Sequence, residues 1–428
     1  MPPQQRFLVR YFAGIDWSDT SGHAVAVIDT HGHVVAEAHI EESPEGVADL
    51  LRLLSGVSRR RRSIPVAIET SRGLLVGALR AHGQPVYAIN PMSAARYRTR
   101  LTPSRKKSDP SDARLLANII RGDAHLHRAL WSPSPQAGAV NTLARAHLDA
   151  VRDQRALANR LRSSLREYYP SALSAWAHLP DNVLRPEARA VLTLAPTPAR
   201  AARLPQRQIA TALTAAGRRR QVDDHTARLY AHFRVRTLRQ PPAVEAAMGV
   251  RTAAILGQLD QACRATNDIT THLADTFAAH PQAATYLSFP GVGTVVGARL
   301  LSEIGDDPIR FPTARALRAY ATAAPLTWAS GTSHSVSRRR LGNKILMATG
   351  HHWAFATLTA SPGCRAHYDR RRAAGDRHAA ALRNLYGRLL GCLHHCLATG
   401  QPYAEQHAFP TRGNSGAAPS EDVAGSRG

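Results

Sequence analysis

Short apolar runs separated by turn residues fill the first third of the chain, and near Gln136 they give way to long stretches of helical periodicity. Phe12–Asp16, Ala24–Asp29 and Val34–Ile40 read as strands, with the turn residues Thr30-His-Gly-His33 between the last two. Pro44–Leu54 carries Val47, Leu50, Leu51 and Leu54 at helical spacing. Ile64–Ile68 is a continuous apolar run, the pattern of a strand buried on both faces. Gly73–His82 reads as helix, Val86–Ile89 as strand, and a further helix begins near Pro110.

Beyond Gln136 the strand signals vanish. Asn141–Tyr169 places Leu143, Leu148, Val151, Leu157, Leu161 and Leu165 at roughly helical spacing, and Val244–His280 repeats the style with Met248, Ile255, Leu259, Ile269, Leu273 and Phe277. A Pro-rich, Arg-rich stretch joins these two predicted helices, an arrangement that suggests a coiled-coil arm. Tyr286–Tyr403 reads as a compact helical region, and Phe409–Gly428 has the Gly, Ser, Ala and Pro content of a disordered tail. A meander of strands followed by strand–helix alternation is the order of a ribonuclease H-like (RuvC-like) α/β core. The expected domains are that core over 11–130, an all-α coiled-coil arm over 136–283, an all-α C-terminal domain over 284–405 and the tail over 406–428.

Charge narrows the partner. The 428 residues include 55 Lys and Arg against 31 Asp and Glu, a net charge of +24 that points to nucleic acid. Nearly all of it is arginine, since the lysines are Lys106, Lys107 and Lys344. The planar guanidinium fork binds two phosphate oxygens at once. The four cysteines, Cys263, Cys364, Cys392 and Cys396, are too scattered for a disulfide framework, and no apolar stretch reaches the roughly 18 residues of a membrane span. The expectation is a soluble, reduced, cytoplasmic protein near the nucleoid, without a membrane.

Against that positive background four acids stand out. Asp16 closes the strand of Phe12-Ala-Gly-Ile-Asp16, Glu69 closes Val66-Ala-Ile-Glu69, and Asp109 and Asp112 open the helix of Lys106-Lys-Ser-Asp-Pro-Ser-Asp-Ala113. Carboxylates facing a polyanion repel it unless a cation stands between, so the set reads as a Mg²⁺ site for phosphoryl transfer. Each acid has a plainer alternative. Asp109 before Pro110 suits an N-cap, with Asp112 then at N3, and Asp16 or Glu69 alone suits a satisfied strand end. Lys106 and Lys107 add phosphate-binding charge beside the pair.

Three further motifs lie in the second half. Phe289-Pro-Gly-Val-Gly293 before an apolar helix reads as a helix-hairpin-helix-like turn whose Gly291 and Gly293 would let backbone amides approach phosphate; an ordinary glycine turn between core helices is the alternative. Ser330-Gly-Thr-Ser-His-Ser-Val-Ser-Arg-Arg-Arg-Leu-Gly-Asn343 reads as a polar phosphate-binding loop, with Arg338, Arg339, Arg340 and nearby Lys344 as its cations. Cys392-Leu-His-His-Cys396 sits in an apolar helical stretch with no second ligand pair at a standard spacing, so it reads as buried helix.

These residues resemble the DEDD-type insertion-sequence transposases of insertion-sequence family one-ten. The similarity runs from Gly14 to Tyr403 through Gly14-Ile-Asp-Trp-Ser18 with His23, Asp29-Thr-His-Gly32, Ala67-Ile-Glu-Thr70, Val86-Tyr-Ala-Ile-Asn-Pro91 and Lys107-Ser-Asp-Pro-Ser-Asp-Ala113. It continues in Pro290-Gly-Val-Gly293, Ser330-Gly331, Leu341-Gly-Asn343 and Tyr368-Asp-Arg-Arg-Arg-Ala-Ala-Gly375, a C-terminal transposase domain. Ala323 and Ala324 stand where the family commonly has a glycine before the proline matching Pro325.

The resemblance implies that Asp16, Glu69, Asp109 and Asp112 bind the metal and that Ser330 attacks a DNA phosphate to form a covalent phosphoserine link, with Ser333 and Ser335 as neighbours in the same loop. It implies a Mg²⁺-dependent recombinase acting on donor and target DNA duplexes, directed by a bridge-type guide RNA. Four strand cuts suit a homo-oligomer, a dimer of dimers. The rival readings are a RuvC-like junction-resolving nuclease that uses water, and a non-catalytic nucleic-acid-binding scaffold.

Overall fold

A computed structural model describes residues 9–18, 22–101, 108–131, 133–179, 181–330 and 333–410. The chain divides into two units, 1–132 and 133–428.

The first unit is a mixed sheet flanked by helices. β1 (Tyr11–Asp16), β2 (His23–Asp29) and β3 (Val34–Ile40) form an antiparallel meander. α1 (Pro44–Val57) then leads to β4 (Val66–Ile68), α2 (Leu74–Ala81) and β5 (Val86–Ala88). β4 pairs parallel to β1 and β5 parallel to β4, giving the order β3-β2-β1-β4-β5. Side chains alternate across β1 as strand geometry requires. Ala13 and Ile15 join Val25, Leu50, Leu54 and Leu79 on one face, and Phe12 joins Ile28, Leu116 and Ile120 on the other.

Two helices complete this unit, α3 (Pro91–Leu101) and α4 (Asp109–Asp123). The periodicity did not predict α3. Its start is written in Asn90-Pro91, because the Asn90 Oδ1 accepts from the Met92 amide at 2.8 Å and Pro91 needs no intrahelical partner. α4 lies directly on β1 and β2. At Gly14 the contact leaves no room for a side chain: a Cβ there would stand 2.0 Å from the Ala113 carbonyl oxygen and 2.5 Å from the Ala117 nitrogen. Gly14→Val is therefore expected to push α4 off the sheet and cost about 3 kcal/mol, read as a lower midpoint in urea unfolding.

The second unit is built on α5 (Pro135–Tyr168, 34 residues) and a second long helix, Pro242–Ala278 (37 residues), packed along each other. Ser134 caps α5 through its Oγ, 3.1 Å from the Ala137 amide. The joining stretch is not a mere linker. It forms helices Pro170–Ser174, Pro186–Leu194, Pro198–Arg203, Gln206–Ala215 and Val222–His232 around a core of Trp176, Val191, Leu192, Ile209, Leu213 and Phe233, closed by Leu161, Leu165 and Leu259 of the long helices. Several of its prolines occupy first turns, where a missing amide hydrogen is harmless.

At the other end of the helix pair, Val140, Ala144, Leu273 and Phe277 share a core with helices Thr294–Ile304, Ala314–Tyr320, Lys344–Ala360 and His378–Thr399. The thiols of Cys364, Cys392 and Cys396 lie in or against this core, where burial raises their pKa, and all four cysteines are free. One element corrects the all-α expectation. β6 (Pro325–Ser330) and β7 (Ser333–Arg338) form an antiparallel pair where a polar loop was expected, because Leu326-Thr-Trp328 and Val336 provide strand-forming residues in both segments. Order also continues past 405. Glu405–Ala408 is helical, Arg388 Nε donates to the Ala408 carbonyl at 2.8 Å and Phe409 packs on the His367 ring. The remainder of the expected tail, 411–428, lies outside the described residues.

Candidate active site

The strand register places two of the four acids side by side. Ile15 pairs with Ile68, so Asp16 and Glu69 are the next residues on neighbouring parallel strands, roughly 5 Å apart at the backbone. Both are half-buried. This is the carboxyl end of the parallel strands, where open α/β sheets place their ligands.

The first turn of α4 supplies the other two, with a correction to their capping. Ser108 is the N-cap and Ser111 occupies N3, its Oγ accepting from the Ser108 amide at 3.2 Å and donating to the Ser108 carbonyl at 2.7 Å. Asp109 is displaced to N1 and exposed, so the cap does not consume its carboxylate. The shift arises because Ser108 and Ser111 satisfy each other at capping-box spacing, which Asp109 does not. Asp112 is 3% exposed and faces Arg98 of α3, whose Nε and Nη2 donate to its Oδ1 at 3.0 and 2.7 Å. Arg114 of α4 donates through Nη2 to the Glu37 Oε2 at 2.8 Å, which holds the Glu37 carboxyl below its usual range and ties the helix to β3.

Among the described residues no three His, Cys, Asp or Glu side chains stand together as a metal-ligand group. Asp16 and Glu69 are brought together by register, Asp112 is turned to a guanidinium, and Asp109 points to solvent. The donor set nevertheless fits a hard cation in kind, being carboxylate oxygen throughout. Arg98 escaped the sequence reading, since an ion pair between residues 14 apart leaves no periodic trace.

His23 follows seven positions after Asp16. It is fully buried at the start of β2, its Nδ1 accepts from the Ser18 amide at 3.3 Å, and its ring stacks on Trp17. Burial pushes its pKa down, which favours the neutral ring that accepts this bond.

Lys106 and Lys107 lie outside the described residues. In the second unit, Ser330 ends β6 opposite Ser333 at the tip of the hairpin, with Ser335 opposite Trp328 further down. Arg338 ends β7. Arg339, Arg340 and Lys344 line a cleft of about 920 Å³ with Thr322, Leu326, Ser337, Leu341 and Met347. The base of the hairpin is rigidly tied. Asn343 donates through Nδ2 to the Tyr320 hydroxyl at 2.8 Å and to buried Glu303, and its Oδ1 caps Leu346 at 2.8 Å. Gly342 sits at φ +152°, and a Cβ there would meet the Thr322 Cγ2 at 2.5 Å. These contacts account for Leu341-Gly-Asn343.

The glycine turn divides its two glycines. Gly291 has φ +70° and packs on Ala356 and Thr357, so its need for glycine is met by the core, and Trp353 Nε1 donates to the Pro290 carbonyl at 3.0 Å. Gly293 is exposed, with open space where a Cβ would stand.

The model of a DEDD-type IS110 transposase domain matches residues 13–170, and that of the IS116/IS110/IS902 transposase family matches residues 283–369. The mini-circle IS117 protein of Streptomyces coelicolor, named for its assignment as a transposase, is 51% identical over 399 residues, 93% of this chain and 96% of its own. The chain belongs to the IS110 family of transposases.

More distant relatives agree. An uncharacterised protein of insertion element IS110 from Streptomyces coelicolor is 29% identical over 71% of this chain and 73% of its own. One of insertion element IS116 from Streptomyces clavuligerus is 27% identical over 90% of this chain and 94% of its own. Transposases are DNA-recombining enzymes, so the acids and the Ser330 hairpin of this IS110-family chain belong to a molecule whose substrate is DNA. The first family match covers the acids and the second covers the Ser330 hairpin. Among the described residues no helix is long and apolar enough to cross a membrane.

Proposed function

We propose that this transposase is a Mg²⁺-dependent, RNA-guided recombinase of its own insertion sequence, working through a serine–phosphate intermediate. The observation that carries the reading is the register of β1 on β4, which sets Asp16 beside Glu69 at the ligand-binding end of a sheet whose α4 starts with Asp109 and Asp112. The sheet order supports a ribonuclease H-like, RuvC-like domain. Asp16, Glu69, Asp109 and Asp112 would hold the cation, which when bound supplies Lewis-acid stabilisation of the phosphate. Arg98 would then release Asp112 to it. The Ser330 hydroxyl oxygen would attack phosphorus. The bond from phosphorus to a sugar oxygen breaks as the serine ester forms, and the proton given up by the serine hydroxyl ends on that departing oxygen, which leaves as a sugar hydroxyl.

Arg338, Arg339, Arg340 and Lys344 beside the hairpin, with Lys106 and Lys107, position the DNA backbone, while Gly293 leaves the start of its helix open to a phosphate. The two long helices act as a coiled-coil arm joining subunits, a dimer of dimers being the smallest assembly with one serine for each of four cuts. Base pairing with a guide leaves the protein to contact backbone and shape. Purified chain is expected to carry one discrete RNA species, and ribonuclease treatment to abolish recombination of matched donor and target duplexes. Full recombination after ribonuclease would end the RNA-guided reading.

A further inference from the structure

The first unit holds a second basic feature, at the opposite end of its sheet from the acids. Arg59, Arg60, Arg61 and Arg62 rim a cleft of about 780 Å³, the size of a ligand site, with Phe12, Pro65, Pro85 and Tyr87 among its walls. Pro65 and Pro85 precede β4 and β5, so the cleft lies at the amino ends of the parallel strands. Ala124, just past the end of α4, lines it too. Asp109 and Asp112 start that 15-residue helix. The two sites are therefore separated by about 20 Å, the rise of the helix.

The arginines are mounted on a fixed turn. Arg61–Ser63 is a single 3₁₀ turn, and the buried amide of Gln84 donates through Nε2 to the carbonyls of Arg61 at 2.9 Å and Ile64 at 2.5 Å. Arg61 Nη1 donates to the His82 carbonyl at 3.3 Å, and the Arg62 guanidinium lies against Gly83. Among the described residues no carboxylate pairs with Arg59, Arg61 or Arg62, although guanidiniums elsewhere in the chain pair with Asp or Glu repeatedly. Cationic rim and apolar, aromatic floor are separate requirements, and one ligand meets both. A nucleotide carries phosphate oxygens for the forks and a flat base for Tyr87.

We infer that this cleft takes an unpaired nucleotide of a single-stranded nucleic-acid segment, phosphates on Arg59, Arg61 and Arg62 and base on Tyr87. It would hold a strand away from the acids and is independent of the metal and serine chemistry. RNA and DNA strands share the recognised groups.

The full chain is titrated with labelled ten-nucleotide RNA and DNA of one sequence, intact or with a central abasic site. Three lost phosphate contacts should remove about two units of log–log salt slope, or about a hundredfold in affinity near 0.1 M salt, in the combined Arg59→Gln, Arg61→Gln, Arg62→Gln chain. Tyr87→Leu, which keeps apolar volume but not the flat ring, should lose about tenfold. The abasic strand should cost wild type a similar factor and Tyr87→Leu almost nothing. A loss confined to one strand type supports the site and assigns it to RNA or to DNA. A triple variant with wild-type melting that binds both strands undiminished overturns the inference, as does an equal abasic penalty in wild type and Tyr87→Leu.

Discussion

Replacing Asp16 or Glu69 with alanine is expected to lower strand cleavage by roughly a thousandfold while nucleic-acid affinity changes less than twofold. Several kcal/mol of transition-state charge stabilisation come from a carboxylate-held cation, and each 1.4 kcal/mol is a factor of about ten in rate. Affinity rests on arginine–phosphate contacts, which neither acid makes. Asp112→Ala should lose cleavage to a similar degree and also lower stability by about 2 kcal/mol, since it strips the partner from Arg98. Arg98→Gln separates the two roles. It should lower stability comparably while keeping cleavage, because it frees the carboxylate rather than removing it. Cleavage is read on a labelled duplex with Mg²⁺, stability by urea unfolding. If Asp112→Ala kept full cleavage and only melted lower, ion pairing with Arg98 would be its whole role.

The sheet was legible where one residue type settled one element. Continuous apolar runs such as Ile64–Ile68 carry their own burial, and β4 is indeed covered on both faces. Three of the five helices between the long pair open on a proline that read as a breaker, although proline in a first turn starts a helix. The hairpin at 325–338 was hidden by its serines, which favour turns in general and here occupy strand positions. Of the four acids, the strand-end positions of Asp16 and Glu69 were legible from pattern alone. The cap at Ser108, the Arg98 partner of Asp112 and the Asn343–Glu303 tie depend on tertiary approach, which spacing along the chain does not encode.

Ser330→Ala is expected to eliminate a covalent protein–DNA species that Ser333→Ala and Ser335→Ala retain. A serine hydroxyl is a poor nucleophile until a base or metal activates it. The acids belong to the first unit and Ser330 to the second, so the proposed mechanism requires the acids, of the same subunit or of a partner, to reach Ser330 in the assembled complex. Backbone geometry separates Ser330 from Ser335, though not from Ser333. Ser330 ends β6 at the last pair of the ladder, whereas Ser335 pairs with Trp328 two positions down. A tip residue reaches a DNA backbone without moving the base that Asn343, Tyr320 and Glu303 tie down. Ser333 pairs with Ser330 in the ladder and is the sharper control. The adduct is read as a denaturation-resistant band with matched RNA, Mg²⁺ and both duplexes. An adduct in Ser330→Ala would move the attack to another side chain, whereas free cleaved ends with no adduct in wild type would transfer it to water and make the enzyme a junction-type nuclease on the same sheet.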